Sequence, residues 1–217
     1  MADIEYLENP ESTEDLFEYL CPPVKNWFKD KFPDFTRPQK LAIPSIINGE
    51  HLLLCSPTGS GKTLTAFLSI IDKLIRLSLD GDLEERVYCI YISPIKALAN
   101  DIQRNLIGPL TEIEDKYLPD RAQKIRVGLR TGDTPQSERQ KMLRKPPHIL
   151  ITTPESMAIA ISSPRFQPIV SNVEWLIIDE MHSLVPTKRG VHLALTMALL
   201  DTILERPVQR IGISATM

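Results

Sequence analysis

The chain has 217 residues, of which 42% are apolar and 24% charged, and a net charge of −3. That composition supports a sizeable buried core and excludes dominant disorder, and no stretch approaches the roughly 20 apolar residues of a membrane span. An acidic N-terminus excludes a secretory leader, and three scattered cysteines (Cys21, Cys55, Cys89) suit a reducing, cytoplasmic setting better than a disulfide framework or a zinc pattern.

In chain order, Ser12 or Thr13 can cap a short helix with Leu16, Phe17 and Leu20 on one side. Pro22-Pro23 stops it and opens a second helix carrying Val24, Trp27 and Phe28, which Pro33 ends. Residues 1–35 thus read as a helical N-terminal extension. From residue 36 onward helices alternate with short apolar runs: His51–Cys55, Val87–Ser93, Ile125–Arg130, His148–Thr152, Val173–Asp179 and Gln209–Ser214. These runs lack polar alternation, as strands buried on both faces do. One helix starts at Gly61 with Leu64, Phe67, Leu68, Ile71, Leu74 and Ile75. Another carries Val191, Leu193, Leu195, Met197, Leu199 and Leu200 and runs to Leu204. The alternation predicts an α/β domain over residues 36–217, with a mostly parallel sheet, helices on both faces and ligands at the carboxyl ends of the strands.

Charge is uneven. Residues 1–20 hold seven acids and no base, and residues 121–145 hold eight bases against two acids. The basic stretch reads equally as a phosphate footprint or as a solvated helix face.

Polar residues stand at the predicted strand ends. Leu52-Leu53-Leu54 leads into Ser56-Pro57-Thr58-Gly59-Ser60-Gly61-Lys62-Thr63 and then a helix. Gly59 and Gly61 let the loop turn its N–H groups toward phosphates, and the helix adds its positive end. Lys62 can reach the β- and γ-phosphates and Thr63 can ligate Mg²⁺, although Ser56 stands where the strict phosphate-loop pattern has Gly. The run Val173–Ile178 ends in Asp179-Glu180-Met181-His182. Two carboxylates at the mouth of a buried strand suit a metal-bound triphosphate, with Asp179 on the metal and Glu180 on the attacking water. A helix cap is the competing reading, and it recedes once the phosphate loop stands upstream. The other ends are Ser93-Pro94-Ile95-Lys96-Ala97-Leu98, Thr131-Gly132-Asp133-Thr134, Thr152-Thr153-Pro154-Glu155 and Ser214-Ala215-Thr216. Each fits simple capping, and together they also suit a sugar-phosphate backbone. His51, His148 and His192 read as structural histidines, and Trp27 and Trp175 as packing residues.

Taken in order, these segments resemble motifs I, Ia, Ib, Ic, II and III of superfamily 2 helicases, and most closely the large helicase-related (Lhr) family near the Ski2-like group. Tyr91–Asp101, Arg130–Gln140 and Lys188–His192 carry much of the likeness, which covers residues 36–217. Met181 departs from the more usual Ile or Val. The resemblance implies a RecA-like, P-loop first motor domain with ATP and Mg²⁺ as cofactors. It implies that Gln39, in Phe35-Thr36-Arg37-Pro38-Gln39, reads adenine and that Thr58, Gly59, Ser60, Gly61, Lys62 and Thr63 hold phosphates and metal. Asp179 and Glu180 are then the metal and water residues. His182, Ser214 and Thr216 couple the nucleotide to the nucleic-acid side. Lys96, Ala97, Arg130, Thr131, Gly132, Thr153 and Pro154 grip one strand, DNA more readily than RNA. A second RecA-like domain with an arginine finger would lie beyond Met217, so the chain reads as the N-terminal part of a longer helicase. The alternatives are an ATP- and nucleic-acid-binding module with no helicase activity of its own and an RNA-directed helicase. A small-molecule kinase is disfavoured by Asp-Glu-Met-His with Ser-Ala-Thr.

Overall fold

In the computed structural model, which describes residues 4–94 and 102–216, each of the six apolar runs forms a strand. These are β1 (Leu52–Cys55), β2 (Cys89–Ile92), β3 (Val127–Arg130), β4 (Ile149–Thr152), β5 (Trp175–Ile178) and β6 (Gln209–Ser214). They build one sheet in the order β1-β6-β5-β2-β4-β3, and every pairing is parallel. Helices α1 (Thr13–Tyr19), α2 (Pro22–Lys31) and α3 (Arg37–Ile47) precede β1, and α4 (Lys62–Asp80) follows it. A π-helical turn, Gln103–Ile107, runs into α5 (Gly108–Tyr117) ahead of β3. Then come α6 (Gln136–Arg144) before β4, α7 (Pro154–Ile161) and α8 (Gln167–Val170) before β5, and α9 (Met181–Leu184) and α10 (Lys188–Ile203) before β6.

Side chains alternate across a strand, and here both faces find cover. Cys89, Tyr91, Ile149, Ile151, Ile177 and Ile211 share one core with α1 to α5. Ile90, Ile92, Leu150, Leu176 and Ile178 share a second with α7, α8 and α10. This double cover is why the runs show no polar alternation. Each fully buried Leu or Ile contributes about 1.5–3 kcal/mol. Helix α4 buries all six apolar residues expected of it. In α10 the expectation holds only in part. Leu193 and Leu200 face the core, but Val191, Leu195 and Leu199 are 64%, 68% and 43% exposed and form a separate stripe at fourfold spacing.

The N-terminal segment begins as expected, with the Ser12 hydroxyl accepting from the Asp15 N–H and two prolines opening α2. Leu16, Val24, Trp27 and Phe28 lie in the same buried cluster as α3, α4 and the sheet. The N–H of Cys21 donates to Asp72 Oδ1 at 2.6 Å, and Arg76 reaches from α4 to the Tyr19 carbonyl at 2.7 Å. Motif content begins near residue 36, and the packing runs across that point. Among the described residues no helix is long and apolar enough to cross a membrane.

The register sets the site. Cys55 pairs with Ser214, Ile92 with both Ile178 and Thr152, and Thr152 with Arg130. All the polar strand ends therefore emerge on one rim of the sheet, where open α/β sheets bind ligands.

Candidate nucleotide site and nucleic-acid rim

Beyond β1 the chain turns through Ser56–Gly61 into α4. Gly59 and Gly61 sit at φ +81° and +85°, a region that side chains with a Cβ avoid. A Cβ on Gly61 would also lie 3.2 Å from Gln39 Nε2. The helix's own bonding begins with the Thr65 N–H on the Gly61 carbonyl at 2.9 Å, so Lys62, Thr63 and Leu64 present their N–H groups at the positive end of α4. The buried Lys62 ammonium crosses the loop and donates to the carbonyls of Ser56 and Pro57, the latter at 2.8 Å.

Thr36 and Gln39 form a capping box at the start of α3: the Thr36 N–H donates to Gln39 Oε1 at 2.8 Å. The Thr36 hydroxyl also donates to the Ser60 carbonyl at 3.0 Å, fastening this segment to the phosphate loop. Gln39 is buried, and its oxygen retains a second lone pair for a ligand. Gln39, Thr58, Gly59, Gly61, Lys62, Thr63, Asp179 and Glu180 line one cleft of about 700 Å³, whose far wall includes Trp27, Phe32 and Glu112. That volume accommodates a nucleoside triphosphate.

Asp179 follows β5 and is 3% exposed. Its Oδ1 accepts from the Glu180 N–H at 2.8 Å, and its Oδ2 accepts from the phenol of buried Tyr91 on neighbouring β2. Asp179 makes no helix cap. Glu180 occupies the cap position of α9 without a side-chain capping bond. Glu180 is also the one non-glycine among the described residues at positive φ, with φ 54° and ψ 38°. Holding a side chain there costs roughly 1–2 kcal/mol.

His182 joins Glu180 to the end of β6. Its Nε2 lies 3.2 Å from Glu180 Oε2, and its Nδ1 accepts from the Ala215 N–H at 3.4 Å and lies 3.3 Å from the Ser214 hydroxyl. An Nδ1 that accepts leaves the proton on Nε2, directed at Glu180. The Ser214 hydroxyl in turn donates to the Thr216 carbonyl.

Magnesium prefers oxygen donors and fills its shell with phosphate oxygens and water around one or two carboxylates. Thr63 and Asp179 supply such donors in the same cleft, and the described residues contain no cluster of acids, histidines or cysteines that would bind a metal unaided. The donor set therefore fits a Mg²⁺ ion arriving with a triphosphate.

Along the rest of the rim, Arg130 ends β3 with 9% exposure, its guanidinium 4.8 Å from the centre of the Phe166 ring. Burial, with Arg139 nearby, pushes its pKa below the ordinary arginine value. Thr131 is half-buried and Gly132 exposed. Thr153 and Pro154 are buried, and the Thr153 hydroxyl caps α7 by accepting from the Ser156 N–H at 3.3 Å. Lys96 and Ala97 lie outside the described residues. The basic stretch divides between its two readings. Arg126 pairs with Glu85 and Arg139 binds loop carbonyls, whereas Arg121, Lys124, Lys141, Arg144 and Lys145 are exposed.

His148 is a core residue whose Nδ1 accepts from the Arg126 N–H at 3.0 Å. His51 Nδ1 accepts from the Arg210 N–H at 3.1 Å. His192, expected to be structural, is exposed on α10, because that helix turns its 191–195–199 side outward. Sequence reasoning missed Tyr91, whose signal was a phenol in a strand buried on both faces. It also missed Thr36, which caps α3 and bonds the phosphate loop, and the cleft wall of Trp27, Phe32 and Glu112.

The family model for DEAD/DEAH box helicases matches residues 36–217. The chain belongs to this family. Within it, the helicase domain is similar to Lhr-type proteins. It is 52% identical over 218 residues to the ATP-dependent helicase Lhr-Core of Methanocaldococcus jannaschii, spanning 100% of this chain and 26% of that protein. It is 43% identical to the Lhr helicase/uracil glycosylase of Escherichia coli, over 96% of this chain and 14% of that protein. The structure of Mycobacterium smegmatis helicase Lhr bound to ssDNA and AMP-PNP superposes with a TM-score of 0.83 at 42% identity, covering 93% of this chain and 25% of that one. The domain thus spans about a quarter or less of the length of these relatives. Its parallel sheet and helix order are those of a RecA-like α/β domain of superfamily 2.

Proposed function

We propose that this domain is the ATP-binding half of a motor that moves along single-stranded DNA. The observation that carries the reading is the chain of contacts from Glu180 through His182 to Ser214 and Ala215, because it links the nucleotide cleft to a second loop on the same rim. Lys62 and the first N–H groups of α4 hold the phosphates, and Gln39 takes the base. Mg²⁺, held by Thr63 and Asp179, would neutralise phosphate charge. Tyr91 fixes one Asp179 oxygen and the Glu180 N–H the other, so the carboxylate is oriented in advance. Glu180 orients the attacking water and takes its proton. His182 holds Glu180 through Nε2, so a change of charge at Glu180 shifts the histidine and with it the Ser214–Thr216 loop.

The strand lies across the rim at Arg130, Thr131, Gly132, Thr153 and Pro154, with Lys96 and Ala97 extending the track. Thr153 and Pro154 act through backbone and shape, since the Thr153 hydroxyl is committed to its cap. DNA is favoured over RNA because the 42% identical Lhr structure holds ssDNA. A second RecA-like domain would close the cleft and supply the arginine finger.

Coupling between two sites is reciprocal. Binding of a fluorescent ATP analogue to the chain should require Mg²⁺, and its affinity should rise when single-stranded DNA is present. Mg²⁺-independent binding that ignores saturating DNA would remove the reading.

A further inference from the structure

Arg139, one turn into α6, places its guanidinium against the loop that follows β3. Nε donates to the Thr134 carbonyl at 2.9 Å, and Nη2 donates to the carbonyls of Gly132 at 2.8 Å and Thr131 at 3.2 Å. Among the described residues no carboxylate pairs with it. An arginine that bonds three main-chain oxygens of one four-residue loop fixes the direction of the intervening peptide planes. In a trans peptide the N–H points opposite to the C=O. With the carbonyls of Thr131 and Gly132 turned toward Arg139, the N–H groups of Gly132 and Asp133 are turned away from it. Both residues are exposed, and among the described residues neither N–H has an acceptor.

Apolar packing contributes little to this loop. β3 is the edge of the sheet, and α6 buries Met142 alone. Thr134 adds three local ties: its hydroxyl accepts from the Thr131 N–H at 2.8 Å and donates to the Leu129 carbonyl at 3.2 Å, and its N–H donates to the Thr131 carbonyl at 3.3 Å. Gly132 adds a second observation. Its φ is not positive, and a Cβ there would meet nothing within 4 Å. The fold does not require glycine at this position, and the missing side chain leaves the backbone open to a closely approaching ligand.

We infer that Arg139 is a positioning residue for nucleic-acid binding: it holds the loop Thr131–Thr134 so that the N–H groups of Gly132 and Asp133 form a two-donor seat for one strand phosphate. Arg130 supplies the neighbouring positive charge, and the cleared side of Gly132 lets the phosphate approach. This rests on the reading of the rim as the strand track.

Binding of a fluorescein-labelled oligo(dT) to the 217-residue chain tests it, by anisotropy across a salt series, with circular dichroism and binding of a fluorescent ATP analogue measured alongside. Arg139→Ala should weaken DNA binding about tenfold with nucleotide affinity unchanged. Because Arg139 meets carbonyls and not phosphate, the slope of log affinity against log salt should stay the same, whereas Arg130→Ala should flatten it by about one contact. Arg139→Lys keeps the charge but lacks the guanidinium's spread Nε and Nη donors, so it should fall with the alanine variant. Gly132→Ala should fold normally and bind DNA less well. Hydrogen exchange at the Thr134 amide, which bonds the Thr131 carbonyl, should quicken in Arg139→Ala and stay slow in Gly132→Ala. Parent-like DNA binding by Arg139→Lys, or a flattened salt slope in Arg139→Ala, would make the arginine a charge and not a positioner. Undiminished binding by Gly132→Ala would remove the phosphate seat. If Arg130→Ala loses binding while both loop variants keep it, the rim stands and this inference falls. If the parent chain binds no DNA at any salt, the rim reading itself fails and takes the inference with it.

Discussion

At the scale of single residues, the cleft works by committing polar atoms in advance. Lys62 bridges two carbonyls of its own loop, so its ammonium is held in place with no carboxylate partner among the described residues. Replacing it by alanine should lower ATP affinity at least tenfold, the usual weight of a charge-assisted contact, with the circular dichroism spectrum unchanged. Unaltered affinity in a folded variant would place the phosphates elsewhere. Glu180 is held in the left-handed region by the turn from β5 into α9. Glu180→Gln should keep Mg²⁺-ATP binding and lose hydrolysis in the complete motor. Glu180→Gly should do the same at parental stability or better, by up to about 1 kcal/mol, because glycine relieves the backbone. Thermal denaturation separates the two variants, and a large drop in stability for the glycine variant would mean that the side chain, and not the conformation, supports the fold.

At the scale of elements, apolar runs and punctuation made most of the architecture legible. Six runs became six strands because a strand covered on both faces must be apolar throughout, and Gly61 marked the start of α4. The facing of α10 was not legible. Apolar residues stand all round that helix, and a period alone cannot say that Leu193 and Leu200 turn inward while Val191 and Leu195 turn out. Nor was the docking of α1 and α2, which rests on contacts between residues far apart in sequence. Asp72 accepts from the buried Cys21 N–H and pairs with Arg76 at 2.7 Å. Asp72→Ala should destabilise the fold by roughly 1–3 kcal/mol in chemical denaturation, since it strands a buried donor. A change within error would mean that the apolar contacts of α1 and α2 suffice.

Where β3 and β4 begin, His148 couples the fold to pH. Burial, reinforced by Arg126 and Lys145, pushes its pKa down to about 4. The unfolded chain therefore binds a proton that the folded one refuses between about pH 6.5 and 4. Stability from this residue is complete above about pH 6.5 and declines as the pH falls through that window, by on the order of 3 kcal/mol in all. His148→Gln should flatten this part of the profile relative to the parent in denaturation series at several pH values. Parallel profiles would exclude His148 as the source.

At the scale of the whole molecule, the motif residues were legible in the sequence and the fold brings the described ones to one rim, but the ties between them had to come from coordinates. The Tyr91–Asp179 bond, the Thr36–Ser60 bond and the Arg139 grip each join segments by atoms that no residue pattern records. On the same rim, Lys62 and Asp179 line the cleft, and Arg104 of the π-helical turn is the one arginine among the described residues that line it. Phosphoryl transfer needs further positive charge as the transition state forms, typically worth about 10³–10⁵ in rate when an arginine finger supplies it. We propose that the domain binds ATP and a strand but needs a second RecA-like domain to turn over. Steady-state ATPase rates of residues 1–217 and of a chain extended through that domain, each with and without single-stranded DNA, test it most directly. The short chain should hydrolyse ATP near background whether or not DNA is present, and the long chain should show strand-stimulated turnover. DNA-stimulated turnover by the short chain at a rate comparable to the long one would contradict the claim.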